Sequence, residues 1–397
     1  MELKLDMLQT VALAVVVYYL GVFIKSKVKV LDEFCIPSPV VGGIVFAVLN
    51  LLLRQFNIMT ITLDATLKTP FMLVFFTTIG LSANLKLIKE GGLIVLKFFL
   101  VSVVLVLCQD IFGMAIAKLI GQDPLLGLLG GSITMVGGHA TGLAFGELFE
   151  KSYGFAGATT IAMASATFGL VSGSLMGGPL GKRLVDKNNL VTKKDLKFKE
   201  VVVDDTPKEK VNFEEIFKMF TIIMISIALG SVLEKFFISL GLTLPSYVTA
   251  MIIAAIILNV GEGTKTLTIN KEATSVLGDV GLNVFLSMAL IDLRLWELKE
   301  VAGPILIILV VQCIIMATIA YFLAFRFCGK DYDAAVMASG FCGFGMGATP
   351  NGMANMSAMT MKYGPAPRAF FVLPIVGAFF IDFTNSILIT IFVNFIR

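Results

Sequence analysis

The stretch Gly343–Met359 reads GFGMGATPNGMANMSAM: four glycines, a proline and two asparagines inside an otherwise apolar region. Backbone that leaves helical geometry in hydrocarbon exposes N–H and C=O groups, each costly if unpaired. Such breaks persist only where the backbone is buried in protein or lines a polar cavity. The meaning of this stretch therefore depends on whether its surroundings are membrane.

They read as membrane. Of the 397 residues, 57% are hydrophobic and 15% charged, with a mean hydropathy of +0.91; a soluble domain is about half apolar and a quarter charged. The apolar residues gather in blocks near 8–24, 39–53, 69–83, 92–119, 155–180, 214–240, 245–260, 276–292, 302–327 and 366–395, most of them near the ~20 residues a spanning helix needs. The alternating segments of about 10 residues that mark a transmembrane barrel do not appear. The start, MELKLDMLQTVALAVVVYYLGVF, has at least as many acids as bases before its apolar run, so it reads as a first membrane helix, not a secretory signal. A net charge of +3 gives no reason to expect nucleic acid. Cys35, Cys108, Cys313, Cys328 and Cys342 lack paired spacing and read as small hydrophobes.

The stretch also has a counterpart 208 residues upstream. That offset carries Pro37-Ser38 to Pro245-Ser246, Leu85-Lys86-Leu87 to Leu293-Arg294-Leu295, Gly121 and Asp123 to Gly329 and Asp331, Gly137 to Gly345, and Ala140-Thr141 to Ala348-Thr349. An internal duplication explains such a series. The expected organisation is an N-terminal repeat, 1–181, a hydrophilic connector, 182–212, and a C-terminal repeat, 213–397. Each repeat holds one Gly-rich block, at about 125–149 and 334–360.

Lys and Arg accumulate in cytoplasmic loops. Five spans per half, with both termini outside, place Lys25, Lys27, Lys29, Lys86, Lys89, the connector, Lys265, Lys271, Arg326, Lys330, Lys362 and Arg368 inside. Six spans per half weaken that bias. The expectation is an all-α polytopic protein: about ten transmembrane helices and two re-entrant loops in two inverted repeats. Arg294 and Trp296 read as an interface anchor.

Paired breaks at matching positions of inverted repeats build transporter sites near the midplane. Half-helix N-termini favour carboxylates and C-terminal carbonyls favour Na⁺. The candidates for substrate are Gly138, His139, Thr141, Gly347, Thr349, Asn351, Asn355 and Arg368; those for sodium are Gly137, Gly345, Asp382 and Asn385. The glycines serve either close ligand approach or tight helix packing. His139, the single histidine, is either a substrate or proton contact or a hydrogen-bonded loop residue. Asp382, with Asn385 one turn later, suits Na⁺, a substrate ammonium or an interhelical hydrogen bond. Asp110 beside Gln109 is a lesser case of the same kind. Arg368 suits a substrate carboxylate or a positive-inside anchor. No nucleophile–base pair or multi-ligand metal cluster is visible, which argues against an intramembrane enzyme.

GGHAT at 137–141, GFGMGATPNGMANM at 343–356 and VGAFFIDFTN at 376–385 resemble the bacterial sodium/glutamate symporter family along the whole chain. The resemblance implies Na⁺-coupled glutamate uptake through the inner membrane, an elevator-type motion and a homodimer. A symporter of another di- or tricarboxylate, or a channel, is the alternative.

Overall fold

The computed structural model describes residues 2–33, 36–190, 211–239, 245–293, 295 and 302–396. Cys35, the expected anchor Arg294 and Trp296, and residues 191–210 of the connector lie outside the described residues. The first half runs β1 (Glu2–Leu5), α1 (Met7–Lys27), α2 (Lys29–Glu33), α3 (Ser38–Gln55), β2 (Thr60–Leu63) and α4 (Lys68–Gly80). It continues with α5 (Leu85–Leu119), α6 (Pro124–Leu129), α7 (Gly138–Tyr153) and α8 (Ala158–Asn188). The second half runs α9 (Phe213–Ser239), α10 (Ser246–Thr264), α11 (Lys271–Ile291), α12 (Ala302–Thr318), a π-helical segment (Ile319–Ala324) and α13 (Phe325–Phe327). After it come α14 (Tyr332–Gly345), α15 (Thr349–Tyr363), α16 (Pro367–Ile375), a second π-helical segment (Val376–Phe380) and α17 (Ile381–Ile396).

Three features depart from expectation. β1 and β2 pair in parallel, Glu2 opposite Thr60 through Leu5 opposite Leu63, so the chain is not purely helical. The connector is helical at its start, because α8 runs on to Asn188. Among the described residues, eight helices, not ten, are long and apolar enough to cross a membrane. Block 69–83 yields only the 13-residue α4, about 20 Å at 1.5 Å per residue. Block 366–395 is interrupted by Pro374 and the second π-helical segment, since proline lacks the N–H that would continue the helix.

Local sequence explains where the helices start. The Asp6 carboxylate accepts from the Leu8 and Gln9 amides while the Gln9 side chain accepts from the Asp6 N–H, a capping box that opens α1. Asp123 caps α6 and Asp331 caps α14, so the 208-residue offset preserves the cap. Packing follows the same offset. Gly42 of α3 lies against the Val17 carbonyl of α1, and Ala250 of α10 lies against Gly230 of α9. Small residues at these crossings let the backbones touch.

The chain forms two compact units, and each draws segments from both halves. The first comprises Met1–Leu81, Leu143–Met163 and Val211–Ala302; the second comprises Ser82–Gly142, Ala164–Lys210 and Gly303–Arg397. In the first, α1, α3 and α4 pack with α9, α10 and α11. Its interior includes a cluster of Met219, Ile222, Ile223 and Ala254, and the Tyr247 ring is 4.1 Å from Phe76 between centroids. Lys68, at the start of α4, pairs with Glu147 at 2.9 Å with both side chains almost fully buried; Lys151 reaches the other Glu147 oxygen at 3.2 Å. The second unit packs α5 with α6, α16 and α17, and α14 with α15 and α16.

Candidate functional site

Both Gly-rich blocks fold as helix–break–helix, and both lie largely in the second unit. In the first block, residues 130–137 form turns between α6 and α7. In the second, residues 346–348 break the chain between α14 and α15. The break sits slightly later than GFGMG alone suggests, because the helix persists through Gly345. α14 and α15 pack as a hairpin, with Gly343 directly against the Asn351–Gly352 backbone.

The two breaks meet. Gly138 has φ +60°, and a Cβ there would stand 3.1 Å from the Gly347 carbonyl oxygen. Glycine is needed on both counts: the left-handed conformation and the close approach. Each break ends in a helix N-terminus, which places Gly138, His139 and Thr141 in the first turn of α7, and Thr349 and Asn351 in that of α15. The outer ends α6 and α14 carry aspartate caps, but α15 begins at Ala348 with no side-chain cap. First-turn N–H groups have no intrahelical partner, so this end is a ready site for an anion.

The second unit surrounds the breaks with buried polar groups. Asp110, mid-helix in α5, accepts from the Ser132 amide and hydroxyl, both at 2.9 Å. Asn385 of α17 donates to the Ser132 carbonyl at 3.1 Å. Gln109 donates to the Gly345 carbonyl at 2.9 Å, and Gln312 donates to the Gln109 carbonyl at 2.8 Å. Asn351 donates to the Leu170 carbonyl at 3.0 Å, and Asn355 to that of Gly173 at 3.0 Å. His139 Nε2 is 3.1 Å from the Thr167 hydroxyl. The Thr349 hydroxyl would lie 2.9 Å from a Cβ on Gly377, which places it beside the interruption before α17.

Four buried side-chain amide oxygens are left over: Oε1 of Gln109 and Gln312, and Oδ1 of Asn351 and Asn385 have no hydrogen-bond partner among the described residues. Buried acceptors are nearly always satisfied, and amide oxygens suit a hard cation as well as a proton donor. Gly137, half-buried, donates its N–H to the Ser132 carbonyl at 3.0 Å. Asp382 is partly exposed, and no side-chain hydrogen bond or ion pair of its carboxylate occurs among the described residues. Arg368 stands apart. Its guanidinium pairs with Asp331, and its amide donates to Asp333 at 3.1 Å. Asp331 caps the start of α14, whereas the break follows its end, 14 residues or roughly 21 Å away along the helix.

The chain matches the family model described as sodium/glutamate symporter over residues 3–365. It is 42% identical over 392 residues to the sodium/glutamate symporter of Escherichia coli (strain K12), an alignment covering 98% of this chain and 97% of that one. It is 39% identical over 387 residues to the sodium/glutamate symporter of Haemophilus influenzae, with 96% of each chain covered. The chain belongs to the sodium/glutamate symporter family.

In this member of the sodium/glutamate symporter family, Ser132, Thr167 and Gln312 are polar partners that the sequence reading did not single out. Gln312 was findable: it is the lone amide in ILIILVVQCIIMAT. Ser132 and Thr167 sit among other small hydroxyl residues and carry no such signal.

Proposed function

We propose that the chain is a sodium-coupled symporter that carries glutamate across the membrane, with the two Gly-rich breaks forming its site. Family membership over nearly the whole chain carries this reading. The assignment of the site rests on the approach of Gly138 to Gly347. The uncapped start of α15 and the first turn of α7 receive the glutamate carboxylates; Thr349, Asn351 and Thr141 supply polar contacts, with His139 and Asn355 behind them. Asp382 and the amide oxygens of Asn385 and Asn351 receive Na⁺ or the substrate ammonium, with the Gly137 and Gly345 carbonyls as further sodium candidates.

The hairpin α14–α15 and its counterpart α6–α7 are re-entrant. Their helices have 6–16 residues, at most about 24 Å at 1.5 Å per residue, short of the roughly 30 Å hydrocarbon thickness. The halves are inverted repeats, the unit containing the breaks moves as an elevator, and two copies associate. Both termini lie outside the inner membrane and the connector lies inside, following the Lys and Arg distribution. If two or more Na⁺ accompany one glutamate anion, the membrane potential contributes about 2.3 kcal/mol per net charge per 100 mV.

Proteoliposomes with an imposed inward Na⁺ gradient test the reading. Labelled glutamate accumulates above its outside concentration, and both Thr349→Ala and Asn351→Ala reduce uptake while protein still inserts. Equilibration without accumulation would mean a channel; normal kinetics for both variants would remove α15 from the site. Competition by citrate as strong as by unlabelled glutamate would shift the assignment to a broader carboxylate symporter.

A further inference from the structure

We propose that a groove between α8 and the end of the α12 span binds an anionic phospholipid, with its phosphate on Arg183 and Lys187 and an acyl chain along the apolar floor. The inference goes beyond the transport reading and rests only on the chain spanning a bilayer. The groove is a cavity of about 620 Å³, within the range of small-ligand sites. Its floor is apolar, with Leu175, Met176 and Leu180 on one side and Ala317 and Phe322 on the other.

Two irregular helices leave this space open. Pro179 lies inside α8, and its missing N–H and ring disturb the preceding turn. Opposite it, Ile319–Ala324 is π-helical, which widens the helix by a residue. The pair does not close ridge into groove, and Leu175 and Phe322 remain 60% and 50% exposed. Both helices meet the length and hydropathy of a membrane span, so the exposed floor faces acyl chains.

Charge complementarity selects the headgroup. Arg183 and Lys187 lie one helical turn apart, and both sit over the Tyr321 ring, at 5.8 and 5.6 Å from its centroid. Like charges at that spacing repel, and an anion between them relieves the repulsion. Arg326 lies over Phe322 at 5.6 Å, which adds a third cation at the same end. Asp186 is the acid nearest in sequence on α8, yet none of the three cations forms an ion pair among the described residues. A ligand that is apolar along the floor and anionic at one end has the same polarity order as the groove. Basic pockets between membrane helices bind anionic lipids on this principle.

The test uses the purified, delipidated full chain, titrated with dioleoylphosphatidylglycerol or dioleoylphosphatidylcholine, with bound lipid read by native mass spectrometry. The wild type should retain phosphatidylglycerol over phosphatidylcholine by roughly tenfold, and Arg183→Gln/Lys187→Gln should abolish that preference. Leu175→Trp, which fills the floor, should lower retention of both lipids. Inorganic phosphate alone should not displace the lipid. Should the double variant fail to purify as a monodisperse species, the wild-type preference must fall with rising NaCl, because screening weakens exposed charge contacts. Equal retention of the two lipids, an unchanged preference in the folded double variant, salt-independent preference, full displacement by phosphate, or a cross-link placing a second copy in the groove would each overturn the proposal.

Discussion

Asn385 donates to the carbonyl of Ser132 at 3.1 Å across 253 residues of sequence. The last helix of the second half thereby holds the break of the first half. The matching place in the other half is filled differently. Gly177, 208 residues before Asn385, lies beside the Ser339 carbonyl, and the Asn355 amide of α15 occupies the room its missing side chain leaves. The second half thus supplies both asparagine amides: one reaches Ser132 in the first break from the facing helix, the other reaches Ser339 within its own hairpin.

Removing the first of these donors should be costly. Asn385→Ala removes one of two donors to the Ser132 carbonyl and leaves the Gly137 N–H, a loss of about 0.5–1.5 kcal/mol. The expected outcome is a lowered melting temperature with uptake reduced at least tenfold in the protein that remains folded. Asp382→Asn makes the complementary test: the Na⁺ concentration for half-maximal uptake should rise roughly tenfold, with little change in melting temperature. A reversal of the two patterns would place the cation at Asn385 instead.

The contact between the breaks gives a second prediction. Gly138→Ala meets both the strain of φ +60° and the Gly347 carbonyl, a cost of about 1–3 kcal/mol. Gly121 also has positive φ, at +72°, but no heavy atom lies within 4 Å of a Cβ built there. Gly121→Ala should lower stability modestly and leave glutamate uptake nearly normal, whereas Gly138→Ala should lose both.

Arg368 can be tested by exchange. If its role is to hold Asp331 at the start of α14, Arg368→Gln lowers stability, and the swap Arg368→Asp/Asp331→Arg restores part of the loss. A residue that receives a substrate carboxylate would not be rescued, since the swap leaves an acid at position 368. Thermal unfolding and the apparent KM for glutamate separate the two roles.

The buried pair Lys68–Glu147 gives the fourth prediction. Leaving one buried charge without its partner costs about 3–5 kcal/mol, whereas replacing both with apolar residues is near neutral. Lys68→Met leaves Glu147 only the exposed Lys151 as a partner, so it should destabilise the protein more than Lys68→Met/Glu147→Leu, by less than that full cost. Denaturation of the three proteins in the same detergent measures the difference.

Much of this architecture was legible in the sequence because it rests on period and composition. Blocks of apolar residues marked the long helices, and the Gly-rich blocks at matching positions marked both breaks. Helix continuity was less legible. Block 69–83 is apolar enough, but its helix runs only the 13 residues from Lys68 to Gly80. Block 366–395 hid an interruption that only Pro374 hinted at. The site was visible as residue types and not as partners. Arg368 has the chemistry to bind a carboxylate, yet tertiary structure supplies Asp331 as its counterion. Long-range partners such as Gln109 with Gly345 leave no local trace, because 236 residues separate them.

The small sheet fixes a parity. β1 precedes α1 and its partner β2 follows α3, so both strands must lie on one face of the bilayer. The chain between Leu5 and Thr60 therefore crosses the membrane an even number of times, and α1 and α3 are each long and apolar enough for one crossing. A reporter fused before Glu2 and one inserted near Asn57 must read the same compartment. Any topology that separates them would have to break four residue pairs first.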